Sequence, residues 1–398
     1  MEHILLIGFG IQGADYVYQA KQLGFYVSAI EHKSNKSFDP VVNASKEVDN
    51  MIWVNNLKKE HIIRLSLNIN SHKPLDGIIG FSEPHIYTSV IIAETLSLPS
   101  PGLYATIVSQ NKALQRDIFS KSNYIPIPKY KLIHKEADEL DFQGELIAKP
   151  VNSTGSKGVK QLSNRLELEN YLKEQGREFP VLVEEFIDGK EYSIETLVEN
   201  GEIIFENITF KETTDPPYCV EKSHTVPANI PKHVKDKILV VNRNVINTIK
   251  MNTGVVHLEV KYHNDIYVLE YAVRTPGDYI LDCIELAYGF NVFKEIIKLN
   301  TRCSSLSINN IPNNVGYVEW VTPSSGIIKK IEGIEKISQL PEIKNIVMFV
   351  NEKDTIGKIT SSSSRAGFFI SEFKDFNHKE NKIKEIKELL TIETTSPK

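Results

Sequence analysis

Residues 255–278 read VVHLEVKYHNDIYVLEYAVRTPGD, and this stretch decides the fold. Two runs of alternating apolar residues flank Asn264-Asp265, a dipeptide typical of two-residue hairpin turns. Pairing across that turn places Glu259 directly opposite Glu270. Like charges in that arrangement repel and destabilise a sheet, so the hairpin needs a compensating cation.

Arg274 follows on the same face as Glu270, because side chains on one face of a strand recur at every second residue. Two carboxylates and a guanidinium on one sheet face suit a triphosphate with bound Mg²⁺. The metal prefers hard oxygen ligands, and the guanidinium fork matches phosphate oxygens. The alternative is a solvated face that carries an ordinary Arg–Glu pair.

Composition places the chain among ordinary globular proteins and excludes several functions. The 398 residues predict two or three domains, and 41% hydrophobic with 24% charged residues is typical of a folded chain. A net charge of −5 with interleaved acids and lysines predicts no nucleic-acid partner. Three cysteines without metal-binding spacing favour a reducing cytoplasm over a disulfide framework. We expect neither a signal peptide nor a membrane segment, because the start lacks a basic region and no apolar run is long enough.

The N-terminal third alternates buried strands with helices, which predicts a parallel sheet covered on both faces. Gly8-x-Gly10-x-x-Gly13 lies between the first strand and its helix, and Glu31 ends the next strand. This spacing matches the dinucleotide-binding fingerprint. The alternative is that the glycines only pack a Rossmann-like layer.

Two further segments suggest a nucleotide site in the middle of the chain. Lys149 ends a strand and precedes a Gly/Ser/Thr loop at 153–158, which offers backbone N–H groups and hydroxyls to phosphates. The stretch EEFIDGKE at 184–191 follows an apolar strand and suits a hinge that reads adenine and ribose. The alternatives are a flexible hairpin loop and an edge strand that ends in an acidic turn.

The remaining pattern predicts one helix over 103–120, which carries Lys112, and another over 282–299. A Thr/Pro-rich loop is expected at 211–231, and the tail from about 311 is expected to be α+β.

In this order, Lys112, Lys149 with its loop, EEFIDGKE and the Glu259/Glu270/Arg274 hairpin resemble the ATP-grasp superfamily over roughly residues 1–300. The resemblance implies that ATP phosphates contact Lys112, Lys149, Ser153, Thr154, Gly155, Ser156 and Gly158. It implies an adenine hinge at Glu184, Glu185, Phe186 and Ile187, with Glu191 on the ribose. It also implies metal ligands at Glu259 and Glu270, and Arg274 as the catalytic residue that stabilises a developing acyl phosphate.

The implied fold class is α/β and α+β, in four units. They are a Rossmann-like domain at 1–100, a small (lid) ATP-grasp subdomain at 101–188, a large subdomain at 189–310 and a C-terminal α+β lobe at 311–398. In this superfamily the Rossmann-like layer does not bind NAD.

The chain departs from the family at Ala272, where an asparagine usually ligates metal. Alanine has no ligand atom, so either the second metal site is absent or another group completes it. The predicted hairpin places His257 opposite Ala272. His257, or a water that it orients, is one candidate for the missing metal ligand. The alternative is that His257 has only a structural role.

The segment Cys219-Val220-Glu221-Lys222-Ser223-His224 resembles the Glu-x-x-His segment of L-amino acid ligases, which form dipeptides. By that similarity Glu221 and His224 bind the amino group of an amino acid, and chemically a carboxylate holds an ammonium while histidine takes its proton. Gly277 and Asp278 resemble the substrate segment after the family's arginine. Glu83 ends a strand of the N-terminal sheet, where open α/β sheets bind ligands, and is a further substrate candidate. A Cys219–His224 nucleophile pair, or a surface loop that orders only on closure, are the alternatives.

These observations predict an ATP-dependent carboxylate–amine ligase that forms an acyl phosphate, with ATP and Mg²⁺ (or Mn²⁺) as cofactors and an amino acid as a substrate. One alternative passes the acyl group to a carrier-protein thiol or another biosynthetic amine. A second is an NAD-binding oxidoreductase, and a third is a nucleotide-binding protein without catalysis, suggested by Ala272. We expect small-molecule substrates, a cytoplasmic location and, from base rates alone, a homodimer.

Overall fold

The computed structural model describes residues 1–81, 83–136, 138–152, 157–174, 178–215, 217–302 and 306–395. The predicted α/β and α+β fold class is confirmed: a parallel sheet at the N-terminus is followed by antiparallel sheets with helices. None of the helices in these ranges is both long and apolar enough to cross a membrane.

The N-terminal layer is the predicted parallel sheet, with strand order β3-β2-β1-β4. Its strands are β1 His3–Ile7, β2 Tyr26–His32, β3 Asn50–Val54 and β4 Gly77–Gly80, and its helices are α1 Ala14–Gln22, α2 Asp39–Ser45, α3 Lys59–His72 and α4 Glu83–Thr95. Gly8 has φ +62°, and a Cβ there would lie 2.4 Å from the His85 ring. At Gly13 a Cβ would lie 2.3 Å from the carbonyl of Phe9, so both glycines are required by packing.

The single helix predicted over 103–120 is wrong, because the chain forms α5 Leu103–Ser109 and α6 Lys112–Phe119. Asn111 lies between them in an extended conformation, and its side chain accepts a hydrogen bond from the Leu114 N–H. This N-cap begins a new helix and places Lys112 at its first position.

A four-stranded antiparallel sheet follows, with order β5-β8-β6-β7. Its elements are β5 Tyr130–Ile133, β6 Leu146–Pro150, β7 Lys160–Leu162, α7 Arg165–Lys173 and β8 Val181–Glu185. We call it the small sheet. The loop residues Ser153, Thr154, Gly155 and Ser156 fall outside the described ranges.

The central element is an eight-stranded sheet with order β13-β12-β9-β10-β11-β14-β18-β16, which we call the large sheet. Its strands are β9 Lys190–Glu199, β10 Glu202–Thr213, β11 Glu221–Val226, β12 Gly254–His263, β13 Asp265–Ala272, β14 Val315–Val321, β16 Ile343–Met348 and β18 Gly367–Phe373. The loop predicted over 211–231 is therefore wrong in part, because β10 extends into it and β11 lies within it.

Helices α8 Lys232–Thr248, α9 Ile280–Tyr288 and α10 Val292–Leu299 pack on the large sheet and the N-terminal layer. The single helix predicted over 282–299 is wrong: Gly289, at φ +70°, ends α9, and the Asn291 side chain caps α10. The remaining elements are β15 Gly326–Glu332, α11 Ile334–Ser338, β17 Thr355–Ile356, α12 Phe376–Leu389 and β19 Thr391–Thr394, with sheet order β17-β15-β19.

The hairpin of β12 and β13 has the predicted central register, with Glu259 opposite Glu270 and His257 opposite Ala272. The turn itself differs, because His263 pairs with Asp265 and leaves Asn264 alone at φ +61°. A bulge beside Glu259 adds one residue to β13 and offsets this shift. Two local deviations thus cancel where the glutamates meet.

Candidate active site

A cavity of about 270 Å³ lies between the small and large sheets, and we call it the first cavity. It gathers most of the predicted site residues: Lys112, Lys149, Glu184, Phe186, Ile187, Glu191, Glu221, His224, Glu259, Glu270, Arg274, Gly277 and Asp278. Glu185 turns away and accepts from the Lys129 N–H at 2.9 Å. Gly158, at φ +78°, lies outside the lining, and its carbonyl accepts from the Tyr171 hydroxyl.

The opposed glutamates of the hairpin are each neutralised by a lysine. Lys211 Nζ lies 2.6 Å from Glu259 Oε1, and Lys112 Nζ lies 2.8 Å from Glu270 Oε1. Lys211 Nζ also lies 3.0 Å from Glu191 Oε1. Burial lowers the pKa of Lys211 and raises that of Glu259, but the attraction between the two charges outweighs burial. The pKa of Lys211 is therefore raised and that of Glu259 is lowered. The cation that the like-charge argument requires is therefore present within the chain.

Lys149 belongs to a buried charged triad with Glu184 and Arg116. Both cations contact the Glu184 carboxylate, which is 2% exposed. Burial favours the neutral acid, but the two cations outweigh it and lower the pKa of Glu184. The Glu184 side chain therefore holds Lys149. Phe186 and Ile187 are the other predicted hinge residues that line the first cavity.

His257 contacts carboxylates through both ring nitrogens: Nδ1 lies 3.1 Å from Glu195 and Nε2 lies 3.3 Å from Glu259. Carboxylates only accept, so this geometry suits a doubly protonated imidazole. Although burial lowers it, hydrogen bonds to the two glutamates raise the pKa of His257 overall. In this arrangement His257 stabilises Glu259 and offers no lone pair to a metal, which favours its structural role.

Arg274 is fixed by the N-terminal layer. Its Nε donates to Glu83 Oε1 at 2.6 Å, and Glu83 Oε2 accepts from Gln110 at 2.7 Å. Arg274 Nη1 also donates to the Thr275 carbonyl. The prediction that Glu83 ends a strand is wrong, because β4 ends at Gly80 and Glu83 begins α4. From that position Glu83 orients the guanidinium.

Asp278 is clamped by a residue from the C-terminal region. Arg365 donates to its two carboxylate oxygens at 2.8 and 2.7 Å, and His224 Nε2 lies 3.2 Å from the same carboxylate. Arg365 also stacks over Trp320, 3.4 Å from the ring centroid. Although burial opposes it, Arg365 and His224 hold the pKa of Asp278 well below its usual range.

Left-handed backbone at Asp278 and Tyr279, with φ of +57° and +59°, is strained for residues other than glycine. Such strain persists where surrounding contacts enforce it, here the bidentate grip of Arg365 on Asp278.

The Cys219–His224 nucleophile pair has no geometric support. His224 bonds Asp278 through Nε2, and burial raises the pKa of the Cys219 thiol, which disfavours the thiolate.

Sequence reasoning missed the residues that hold the predicted ones in place: Arg116, Glu195, Lys211, Ser362 and Arg365. Arg116 carries the clearest signal, because it follows Lys112 by one helical turn and shares its face. Ser362 donates to Glu221 at 2.9 Å from a serine run that shows no chemical pattern in the sequence.

Comparison with known proteins matches residues 142–282 to the ATP-grasp domain family and residues 319–395 to L-amino acid ligase C-terminal domain 2. Residues 142–282 thus form a domain of the ATP-grasp superfamily. The predicted resemblance to its L-amino acid ligases, and the predicted enzyme class of ATP-grasp ligase, are confirmed by these matches.

The chain is also similar to individual relatives, and its fold is similar to that of solved structures. The chain is 23% identical over 318 residues to the L-arginine-specific L-amino acid ligase of Bacillus subtilis, covering 75% of each chain. It is 31% identical over 156 residues to a D-alanine–D-alanine ligase of Petrotoga mobilis, covering 37% of this chain and 52% of that one. Its fold superposes on the L-amino acid ligase structure from Bacillus licheniformis with TM-score 0.85 at 21% identity, covering 100% and 99% of the chains.

The oxidoreductase alternative gains no support from these comparisons. In this ATP-grasp chain the Gly8–Gly13 turn is filled by its own carboxylate, because Gly10 N–H donates to Glu31 Oε2 at 2.9 Å. Glu31 also accepts from Asn35, so these glycines belong to the packing of the layer.

Proposed function

We propose that this ATP-grasp chain joins the carboxylate of one amino acid to the amine of a second substrate, using ATP and releasing ADP and phosphate. The observation that carries the proposal is the meeting, in one cavity, of opposed carboxylates with a guanidinium and three buried lysines. The family matches support an amide-forming ligase that uses amino acids.

Lys112 and Lys149 are proposed to contact the ATP phosphates, together with Gly158 and the loop residues Ser153, Thr154, Gly155 and Ser156. Both lysines are held by glutamates of the chain, so their position is preorganised. Glu185, Phe186 and Ile187 would form the adenine hinge, where Lys261 lies 4.5 Å above the Phe186 ring. Glu191 would take the ribose hydroxyls.

Glu259 and Glu270 fit a magnesium ion, because they present opposed carboxylate oxygens and Mg²⁺ completes its shell with waters and phosphate oxygens. Magnesium, or manganese, would neutralise charge on the transferring phosphoryl group. Within the described residues no group of three His, Cys, Asp or Glu side chains is placed to hold a metal ion.

In the proposed reaction a carboxylate oxygen of the acid attacks the γ-phosphorus, and the bond to ADP breaks. The amine then attacks the acyl carbon, and phosphate leaves with the former carboxylate oxygen. Negative charge develops on the transferring group and on the carbonyl oxygen, where Arg274 would stabilise it. Gly277, which follows Arg274 in the lining, leaves room for the substrate because a Cβ there would meet no atom within 4 Å.

His224 is proposed to take the proton from the amine. Its Nε2 must carry hydrogen to bond the Asp278 carboxylate, which leaves the lone pair on Nδ1. Nδ1 is buried and has no hydrogen-bond partner among the described residues. Glu221 would hold the ammonium before its proton is lost.

The four-unit division at residues 100, 188 and 310 is retained as a proposal. Because the large sheet includes β14, β16 and β18, the last two units share one sheet. A carrier-protein acceptor, a homodimer and a cytoplasmic location also stay predictions.

The proposal is tested by screening pairs of amino acids for phosphate release with ATP and Mg²⁺, with each amino acid omitted in turn. We expect release that requires both substrates, with a product whose mass is their sum minus one water. Release that depends on a different amine or a carrier thiol, and on no amino-acid pair, would exclude the peptide-forming assignment.

A further inference from the structure

A second and larger cavity, of about 730 Å³, lies on the other side of Arg274. Arg274 and Gly277 line both cavities. The second cavity is walled by the glycine-rich loop, the start of α1, the segment 275–282, and Trp320 and Phe349. It therefore opens onto the place where the proposed chemistry occurs.

The wall and rim of the second cavity are rich in aromatic rings. Phe38 and Phe349 are 44% and 55% exposed, which is unusual for large apolar side chains that line one concave surface. Tyr279 and Trp320 complete the wall, with ring centroids 6.0 Å apart. Aromatic faces of this kind attract cations as well as apolar groups.

The carboxylates of the second cavity divide into two classes. Glu31 and Glu83 each accept a hydrogen bond from the protein: Glu31 from the Gly10 N–H and Glu83 from Arg274 Nε. Asp15 and Asp282 have no ion pair and no side-chain donor in the described part of the chain.

Burial, and the negative charge of Asp15, raise the pKa of Asp282 to about 7. Burial also raises the pKa of Asp15. A cation beside these two carboxylates would favour their ionised forms, and no lysine or arginine pairs with either of them among the described residues.

Trp320 contributes the surface of its ring to the second cavity, while its indole nitrogen is enclosed by the protein. The second cavity thus places two carboxylates, which have no ion pair among the described residues, beside aromatic rings, as suits a ligand with a cationic group.

We propose that the second cavity binds an amino-acid substrate with a cationic side chain, whose ammonium or guanidinium group lies against Asp15, Asp282 and the Tyr279 ring while its reacting end lies at Arg274. The proposal rests on the proposed function only for the position of the reacting end. The charge selectivity of the cavity follows from its own residues.

The test compares L-arginine with L-citrulline, its neutral isostere, by calorimetric binding and by ATP-dependent phosphate release. We expect wild-type protein to bind arginine at least about tenfold more tightly than citrulline, a ratio typical of one partly desolvated charge pair. Asp282→Asn and Asp15→Asn should each lower that ratio severalfold, and together abolish it, while ATP binding stays unchanged. Asp236→Asn, an exposed aspartate on α8, is the matched control.

Equal binding of arginine and citrulline by the wild type, or binding of neither, overturns the proposal even if other amino acids are ligated. An arginine preference that survives both substitutions within twofold also overturns it. If arginine preference depends on Asp282 but no amino-acid pair releases phosphate, the cavity assignment stands and the proposed ligase function fails. Circular dichroism of each variant establishes that it is folded.

Discussion

The two cavities that meet at Arg274 treat charge in opposite ways. In the first, carboxylates are paired with cations of the chain: Glu259 with Lys211, Glu270 with Lys112, and Asp278 with Arg365. In the second, Asp15 and Asp282 line the same wall, and neither has such a partner among the described residues. The first cavity therefore suits a ligand that brings both signs, such as a metal-bound triphosphate, and the second suits a ligand that brings a cation.

Because of this difference in charge pairing, substitution of a carboxylate should affect the stability of the protein differently in the two cavities. Removing one member of a buried ion pair leaves an uncompensated charge and is strongly destabilising. Removing a carboxylate that has only a like charge beside it removes a repulsion and should increase the free energy of unfolding. The same type of substitution should thus have opposite signs on the two sides of Arg274.

The largest effect is expected at Arg274, which lines both cavities. Arg274→Ala should lower kcat for phosphate release by about 100- to 1,000-fold, because a preorganised donor to developing charge is lost. Nucleotide binding, measured by calorimetry, should change little, since Lys112 and Lys149 are intact. Arg243→Ala, at an exposed position on α8, is the control. Turnover within threefold of the wild type would refute the role assigned to Arg274.

Next in size is the clamp on Asp278. Arg365→Ala should destabilise the protein by about 3 kcal/mol in denaturant unfolding, because it strands a largely buried carboxylate. Adding Asp278→Asn should recover part of that loss, so the double variant is more stable than the sum of the two single effects predicts. If the effects of the two substitutions on the free energy of unfolding simply add, the Arg365–Asp278 contact contributes no interaction energy.

A smaller effect is expected at the proposed metal site. Glu270→Gln should raise the Mg²⁺ concentration needed for half-maximal phosphate release by about tenfold, because one charged ligand becomes neutral. Glu202→Gln, at an exposed position that begins β10, is the matched control. An unchanged Mg²⁺ requirement would remove Glu270 from the metal site.

The smallest effect is a stabilisation. The pKa of Asp282 is about 7 in the folded protein and lower in the unfolded chain, so the folded state holds the proton more tightly. Its contribution is therefore lost as pH rises from about 4 to 7. Asp282→Asn should raise Tm at pH 8 and leave it nearly unchanged at pH 4, measured by calorimetric scans. A lower Tm at pH 8 would mean that Asp282 has a stabilising partner.

The hairpin shows how far the sequence could lead. Alternation and the Asn264-Asp265 signal predicted the meeting of Glu259 and Glu270, and the ordered motifs predicted the superfamily. The turn was tighter than expected, and only the bulge beside Glu259 preserved the register. A bulge depends on cross-strand packing, which local sequence does not encode.

The residues that sequence reasoning missed act over long separations. Lys211 lay in a segment predicted as loop, and it meets Glu259 only because β10 and β12 both flank β9. Arg365 reaches Asp278 from the segment just before β18, far along the chain and after a serine run without a chemical pattern. Pairings of this kind arise from sheet order, which residue spacing alone does not give.

The most direct test of the central claim uses an amino acid whose carboxylate is labelled with ¹⁸O. If an acyl phosphate forms in the first cavity, one labelled oxygen moves from the carboxylate to the released phosphate, and mass spectrometry detects it there. The account predicts one ¹⁸O in each phosphate formed with product. Phosphate that carries no label, in the presence of product, would contradict it.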